Sequence, residues 1–114
     1  MEASVFFNPQ CTNCQTVQSI LSERGIDAEY VRYLDQAPSR EELERVMGLL
    51  GIDDPQEIAR AKEPIYQELH LESAGRDELL DAMTRHPILI QRPIVVLGDK
   101  AIVARPAEKV LEIL

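Results

Sequence analysis

Two cysteines occur in this chain of 114 residues, and both fall in Cys11-Thr12-Asn13-Cys14. Thiols at that spacing near a chain start suit redox chemistry or metal binding. A thiol attacks as its thiolate, and a helix N-terminus stabilises that form through free backbone N–H groups and the macrodipole. Cys11 is therefore the candidate nucleophile if a helix begins just after it. Cys14, one turn further on, reads either as a resolving thiol that closes a disulfide with Cys11 or as core packing. Zinc would need about four ligands. Only His70 and His86 could join the cysteines, and neither has finger-like spacing, so no metal site is predicted. His86 reads as a helix-end residue and His70 as a surface one.

Arginine supplies the complementary chemistry, because a planar fork of donors suits tetrahedral oxyanions and stays charged at any working pH. Arg92 precedes Pro93 at a strand start, and Arg105 precedes Pro106 where the last strand meets the last helix. Both could flank the Cys11 end of a sheet, although spacing alone does not put them in a site.

The elements that position these residues are legible. Val5-Phe6-Phe7 is a short apolar run closed by Asn8-Pro9, a buried strand ending just before the cysteines. Val17, Ile20, Leu21 and Arg24 keep helical spacing up to Gly25, so Cys11 falls at that helix's N-terminus. Ala28 to Tyr33 reads as a second strand, parallel to the first through a right-handed crossover. Ser39 and Glu42 have capping-box spacing, followed by Leu43, Val46, Met47 and Leu50 before Gly51. Asp54-Pro55 opens a short helix near whose end Arg60 falls. Leu79, Leu80 and Met83 mark another helix, stopped before Pro87. Pro93 to Leu97, a turn at Gly98-Asp99-Lys100, and Ala101 to Ala104 read as a hairpin, and a last helix opens at Pro106. This order predicts an α/β fold, a thioredoxin-like (glutaredoxin-like) mixed sheet with a helical insertion, as a single domain over 1–114.

Composition narrows the function. A chain that is 45% hydrophobic over this length builds one core. Twelve Lys and Arg against 20 Asp and Glu give a net charge of −8, which argues against nucleic acid and anionic membrane surfaces as partners. No apolar run reaches the roughly 18 residues of a spanning helix, and no basic-then-apolar leader opens the chain. The expectation is a soluble, cytoplasmic protein.

Asn8-Pro9-Gln10-Cys11, the stretch Arg60-Ala61-Lys62-Glu63-Pro64, the block His86-Pro87-Ile88-Leu89-Ile90-Gln91-Arg92-Pro93-Ile94-Val95-Val96, and Arg105-Pro106 resemble the ArsC family of glutaredoxin-linked arsenate reductases. The resemblance spans essentially the whole chain, and its shorter members are the nearest in form. It implies a nucleophilic cysteine, Cys11, aided by three oxyanion-binding arginines, Arg60, Arg92 and Arg105, with Pro93 as the cis-proline. It also implies that arsenate is reduced to arsenite with glutathione as co-substrate and glutaredoxin, or thioredoxin, as partner, and with no bound cofactor. The Cys11–Cys14 pair is also similar to Spx-type redox regulators that bind RNA polymerase. Arg105-Pro106 favours the enzyme over that alternative. A general thiol-disulfide oxidoreductase is the third reading.

Overall fold

β1 (Ala3–Phe6) leads through a turn into α1 (Thr12–Glu23), which returns the chain to β2 (Ala28–Val31), parallel to β1 with Phe6 opposite Val31. β3 (Ile94–Leu97) pairs antiparallel with the other side of β1, with Phe6 opposite Ile94, and β4 (Lys100–Val103) forms the hairpin with β3. The sheet order β2-β1-β3-β4 is that of a thioredoxin-like fold. The structure, a computed structural model, describes residues 3–114. The chain forms two compact units: the sheet unit, made of the segment ending at Tyr33 together with Arg92–Leu114, and a helical unit, Leu34–Gln91.

In the sheet unit, register explains the core. Val5, Tyr30, Val95 and Ile102 form one cross-strand row, and all project to one face because side chains alternate along a strand. Cys14, Val17 and Leu21 of α1 pack on that face together with Ala104, Ala107 and Val110. Phe7 joins them and meets the Tyr30 ring edge-on, centroids 5.2 Å apart. Each fully buried aliphatic side chain contributes about 1.5–3 kcal/mol. α1 ends where Gly25 takes a φ of 70°, a conformation only glycine adopts freely.

Three local readings differ from the sequence expectation. The second strand ends at Val31 rather than Tyr33. The hairpin turn is two residues, Gly98-Asp99, because Lys100 already pairs with Leu97. The C-terminal helix, expected from Pro106, is a 3-10 helix over Ala107–Ile113. With three residues per turn, it stacks Ala107, Val110 and Ile113 in one stripe, and all three pack in the core.

In the helical unit, α2 (Arg40–Leu50) begins at Ser39, whose hydroxyl accepts from the Glu42 N–H at 3.1 Å, and stops at Gly51 with φ 74°. The Asp54 carboxylate accepts from the Gln56 N–H at 2.9 Å and starts the 3-10 turn Pro55–Ile58. A short helix, α3 (Pro64–Glu68), is an addition to the elements expected from the sequence; Pro64 at its first position is the signal. α4 (Arg76–Arg85) buries Leu79, Leu80 and Met83 completely, and Arg40 joins α2 to α4 by pairing with Asp77. His86 caps the C-terminal end of α4, and His70 is exposed.

Candidate active site

The corner between β1 and α1 is held by short-range hydrogen bonds of its own residues. Asn8 accepts the Cys11 N–H on its carbonyl at 3.0 Å and the Gln10 N–H on its side-chain oxygen at 3.0 Å. The Gln15 side-chain amide donates to the Pro9 carbonyl at 2.6 Å, tying the loop to α1. Cys11 becomes the N-cap, with φ −88° and ψ 123°, and no side chain caps the helix there. Cys11 thus stands at the start of α1, where the Cys14 main-chain N–H reaches its sulfur.

Burial by itself pushes the half-buried Cys11 thiol up. The Cys14 main-chain N–H, the Cys14 thiol and the Arg92 guanidinium outweigh it and hold Cys11 below the ordinary thiol value. Cys14 behaves in the opposite way. It is fully buried in the apolar cluster beneath α1. Burial pushes its thiol up to about 12, assisted by the neighbouring Cys11 sulfur and opposed by the Asn8 main-chain N–H. Both cysteines are free thiols. At neutral pH the pair thus consists of a thiolate-prone Cys11 and a proton-holding Cys14.

Arg92 is the cation against Cys11. Burial disfavours its charge, but the Tyr33 phenol and the Cys11 thiol more than compensate and leave its pKa raised. Its Nε and Nη1 are buried and have no hydrogen-bond partner among the described residues. A buried donor left unmade costs about 1–3 kcal/mol, so this guanidinium is poised for an acceptor beside the sulfur. Arg105 donates through Nη1 to the Arg92 carbonyl at 2.9 Å, which fixes the Arg92 main chain and brings the second arginine to the same corner. The Arg92–Pro93 and Arg105–Pro106 peptides are both cis.

Arg60 belongs to the helical unit. There its guanidinium pairs with Glu63 at 3.2 Å, and its N–H donates to the Leu89 carbonyl at 2.7 Å. Among the described residues no group of three or more His, Cys, Asp or Glu is arranged to hold a metal, and no helix is long and apolar enough to cross a membrane.

Two contributors escaped the sequence reading. Asn8 was legible only as a turn residue, yet its main chain touches both cysteines. Tyr33 looked like one more strand aromatic, yet it is fully buried and faces Arg92. The available signal for Tyr33 was its place at the end of the second apolar run, just before the Asp35-Gln36-Ala37-Pro38 turn.

Comparison with known proteins gives the family. The sequence model of the ArsC family matches residues 6–113. An arsenate reductase of Neisseria meningitidis serogroup B is 40% identical over 99% of this chain and 98% of its own length. An arsenate reductase of Haemophilus influenzae is 38% identical over 100% of both chains. The solved arsenate reductase from Vibrio cholerae superimposes with a TM-score of 0.95 at 40% identity, covering 100% of this chain and 98% of that one. With the family match running from Phe6 through the Cys11 loop and both Arg-Pro corners, the chain belongs to the ArsC family.

Proposed function

We propose that this protein is an arsenate reductase whose nucleophile is Cys11. The observation that carries the reading is a thiol of lowered pKa at the start of α1, set against an arginine with two buried, unpartnered donors. A tetrahedral oxyanion of about two negative charges is costly to desolvate without fixed cations. In a protein of net charge −8 those cations must be local; Arg92 and Arg105 supply them, and the family resemblance assigns the same role to Arg60.

The Cys11 thiolate attacks arsenic and displaces one oxygen, which leaves as water once protonated, giving an S–As(V) adduct. A second thiol, that of glutathione, attacks the adduct. Over the cycle two thiols lose two electrons and become one disulfide, while As(V) gains them and leaves as arsenite. Glutaredoxin, drawing on a further glutathione, reduces the Cys11–glutathione disulfide and frees the Cys11 thiol, and the glutathione disulfide formed is reduced by NADPH through glutathione reductase. Such a cycle needs a reducing compartment, and we place the protein in the cytoplasm.

The test is arsenate-dependent NADPH oxidation coupled through glutathione, glutaredoxin and glutathione reductase, repeated with thioredoxin and its reductase. Wild type should turn over with glutaredoxin, and Cys11→Ser should not. A Cys11→Ser variant that keeps most of the rate would refute the mechanism. Wild type silent with both donors would refute the substrate.

A further inference from the structure

The pairing of β1 brings together two residues that lie far apart in the sequence. Phe6 is opposite Val31 on one side and Ile94 on the other. Because β2 runs parallel to β1 and β3 antiparallel, Tyr33, two residues past Val31, and Arg92, two before Ile94, extend beyond the same end of β1. From that end the chain passes through Asn8 to Cys11. Both lie just past the strand ends, Tyr33 in the turn after β2 and Arg92 ahead of the cis-bonded Pro93 that leads into β3. There the Tyr33 ring stacks on Phe6, centroids 5.9 Å apart and planes inclined at 23°. The two backbones are separated by two strand spacings, roughly 10 Å, a gap that a phenol and a guanidinium close from either side. Tyr33 is fully buried, where a phenol oxygen requires a polar partner, and the partner it meets is Arg92.

We propose that Tyr33 is a positioning residue for the anion site: its buried phenol oxygen accepts from the Arg92 guanidinium and holds that group against Cys11, leaving Nε and Nη1 to donate to the oxyanion. The Phe6 ring fixes the phenol, the Arg105 side chain fixes the Arg92 main chain, and the guanidinium is set from both ends. Tyr33 and Arg92 are also the points where the Leu34–Gln91 segment leaves and rejoins the sheet unit. The consequence for substrate binding rests on the arsenate reading; the Tyr33–Arg92–Cys11 geometry does not.

The decisive measurement is the pH dependence of Cys11 alkylation by iodoacetamide in wild type, Tyr33→Phe, Arg92→Gln and the double variant. Tyr33→Phe keeps the ring and its stack and removes only the oxygen. It should raise the Cys11 pKa in the same direction as Arg92→Gln and by about half as much, roughly a twofold loss of thiolate at pH 7. The double variant should match Arg92→Gln alone, since without the guanidinium the phenol has nothing to position. An unchanged profile in Tyr33→Phe, or a double variant whose shift is the sum of the two, overturns the proposal. In the coupled assay Tyr33→Phe should raise the KM for arsenate several-fold, with kcat falling no more than the roughly twofold loss of thiolate. Wild type inactive on arsenate would defeat the substrate assignment, while the alkylation cycle would still decide the role of Tyr33.

Discussion

Replacing Arg92 by Gln removes a full positive charge placed against the Cys11 sulfur. The pair is half-buried, so the interaction lies well below the dry-interior limit and is worth roughly 1 kcal/mol. At 1.36 kcal/mol per unit this is a rise of about 0.7 in the Cys11 pKa. Well below the pKa the thiolate fraction then falls about fivefold, the same 0.7 unit taken as a power of ten. A more basic thiolate is also a better nucleophile, and a Brønsted coefficient of about 0.45 makes the fully ionised form about twice as reactive. The net expectation is a crossing pair of curves: Arg92→Gln alkylates about 2.5-fold more slowly than wild type at pH 6 and about twofold faster on the alkaline plateau. Iodoacetamide rates followed by mass across pH 5 to 10 measure both limbs. Superimposable profiles would show that Arg92 contributes no field at the sulfur. A uniform slowing at every pH would show a loss of access instead, and either result refutes the electrostatic reasoning.

Further tests address the other groups of the corner. Arg105→Lys keeps the charge but loses the guanidinium fork and its bond to the Arg92 carbonyl; the KM for arsenate should rise about tenfold or more, the equivalent of one charge-assisted bond of roughly 1.5–3 kcal/mol, and an unchanged KM in the coupled assay would remove Arg105 from the anion site. Cys14 is raised to about 12 in the folded chain, against about 8.5 for an unperturbed thiol, so the unfolded chain releases that proton first as pH rises. Stability due to Cys14 is therefore intact below about pH 8.5 and lost progressively from there toward pH 12. Thermal melts should show wild type declining more steeply than Cys14→Ala across that window, and parallel declines would count against a buried, proton-holding Cys14. Under peroxide, the two free thiols, one turn apart at the start of α1, should close to an intrachain disulfide; intact-mass measurement should find the monomer lighter by two hydrogens, and its absence would leave Cys14 as packing.

Much of the fold was legible because the signals are local. The stop at Asn8-Pro9, the start of α1 and its end at Gly25, the Ser39 and Asp54 caps, and the Gly98-Asp99 turn depend on residues within a turn or two of each other, where apolar period and capping chemistry act. The same locality explains the errors. Whether Ala107–Ile113 winds with three residues per turn or 3.6 depends on which stripe the sheet accepts. The sequence shows Ala107, Val110, Leu111 and Leu114 as equally fit for a helix face.

The sequence by itself determined the strand–helix corner at Cys11, the thiol at the helix start, and the family to which these motifs belong. Tertiary structure decided what each group near that thiol does. The parallel pairing of β1 with β2 and its antiparallel pairing with β3 carry Tyr33 and Arg92 to the same end of the sheet. The packing of α1 on the Val5–Val95 face puts Cys14 in the core, where it keeps its proton. Glu63 takes the Arg60 guanidinium, whereas Arg92 is left with two unmade donors. The physical reason is that capping and periodicity are energies between near neighbours in the chain. Burial, desolvation and charge pairing depend on distance in space, and strand register sets those distances only once the sheet has formed.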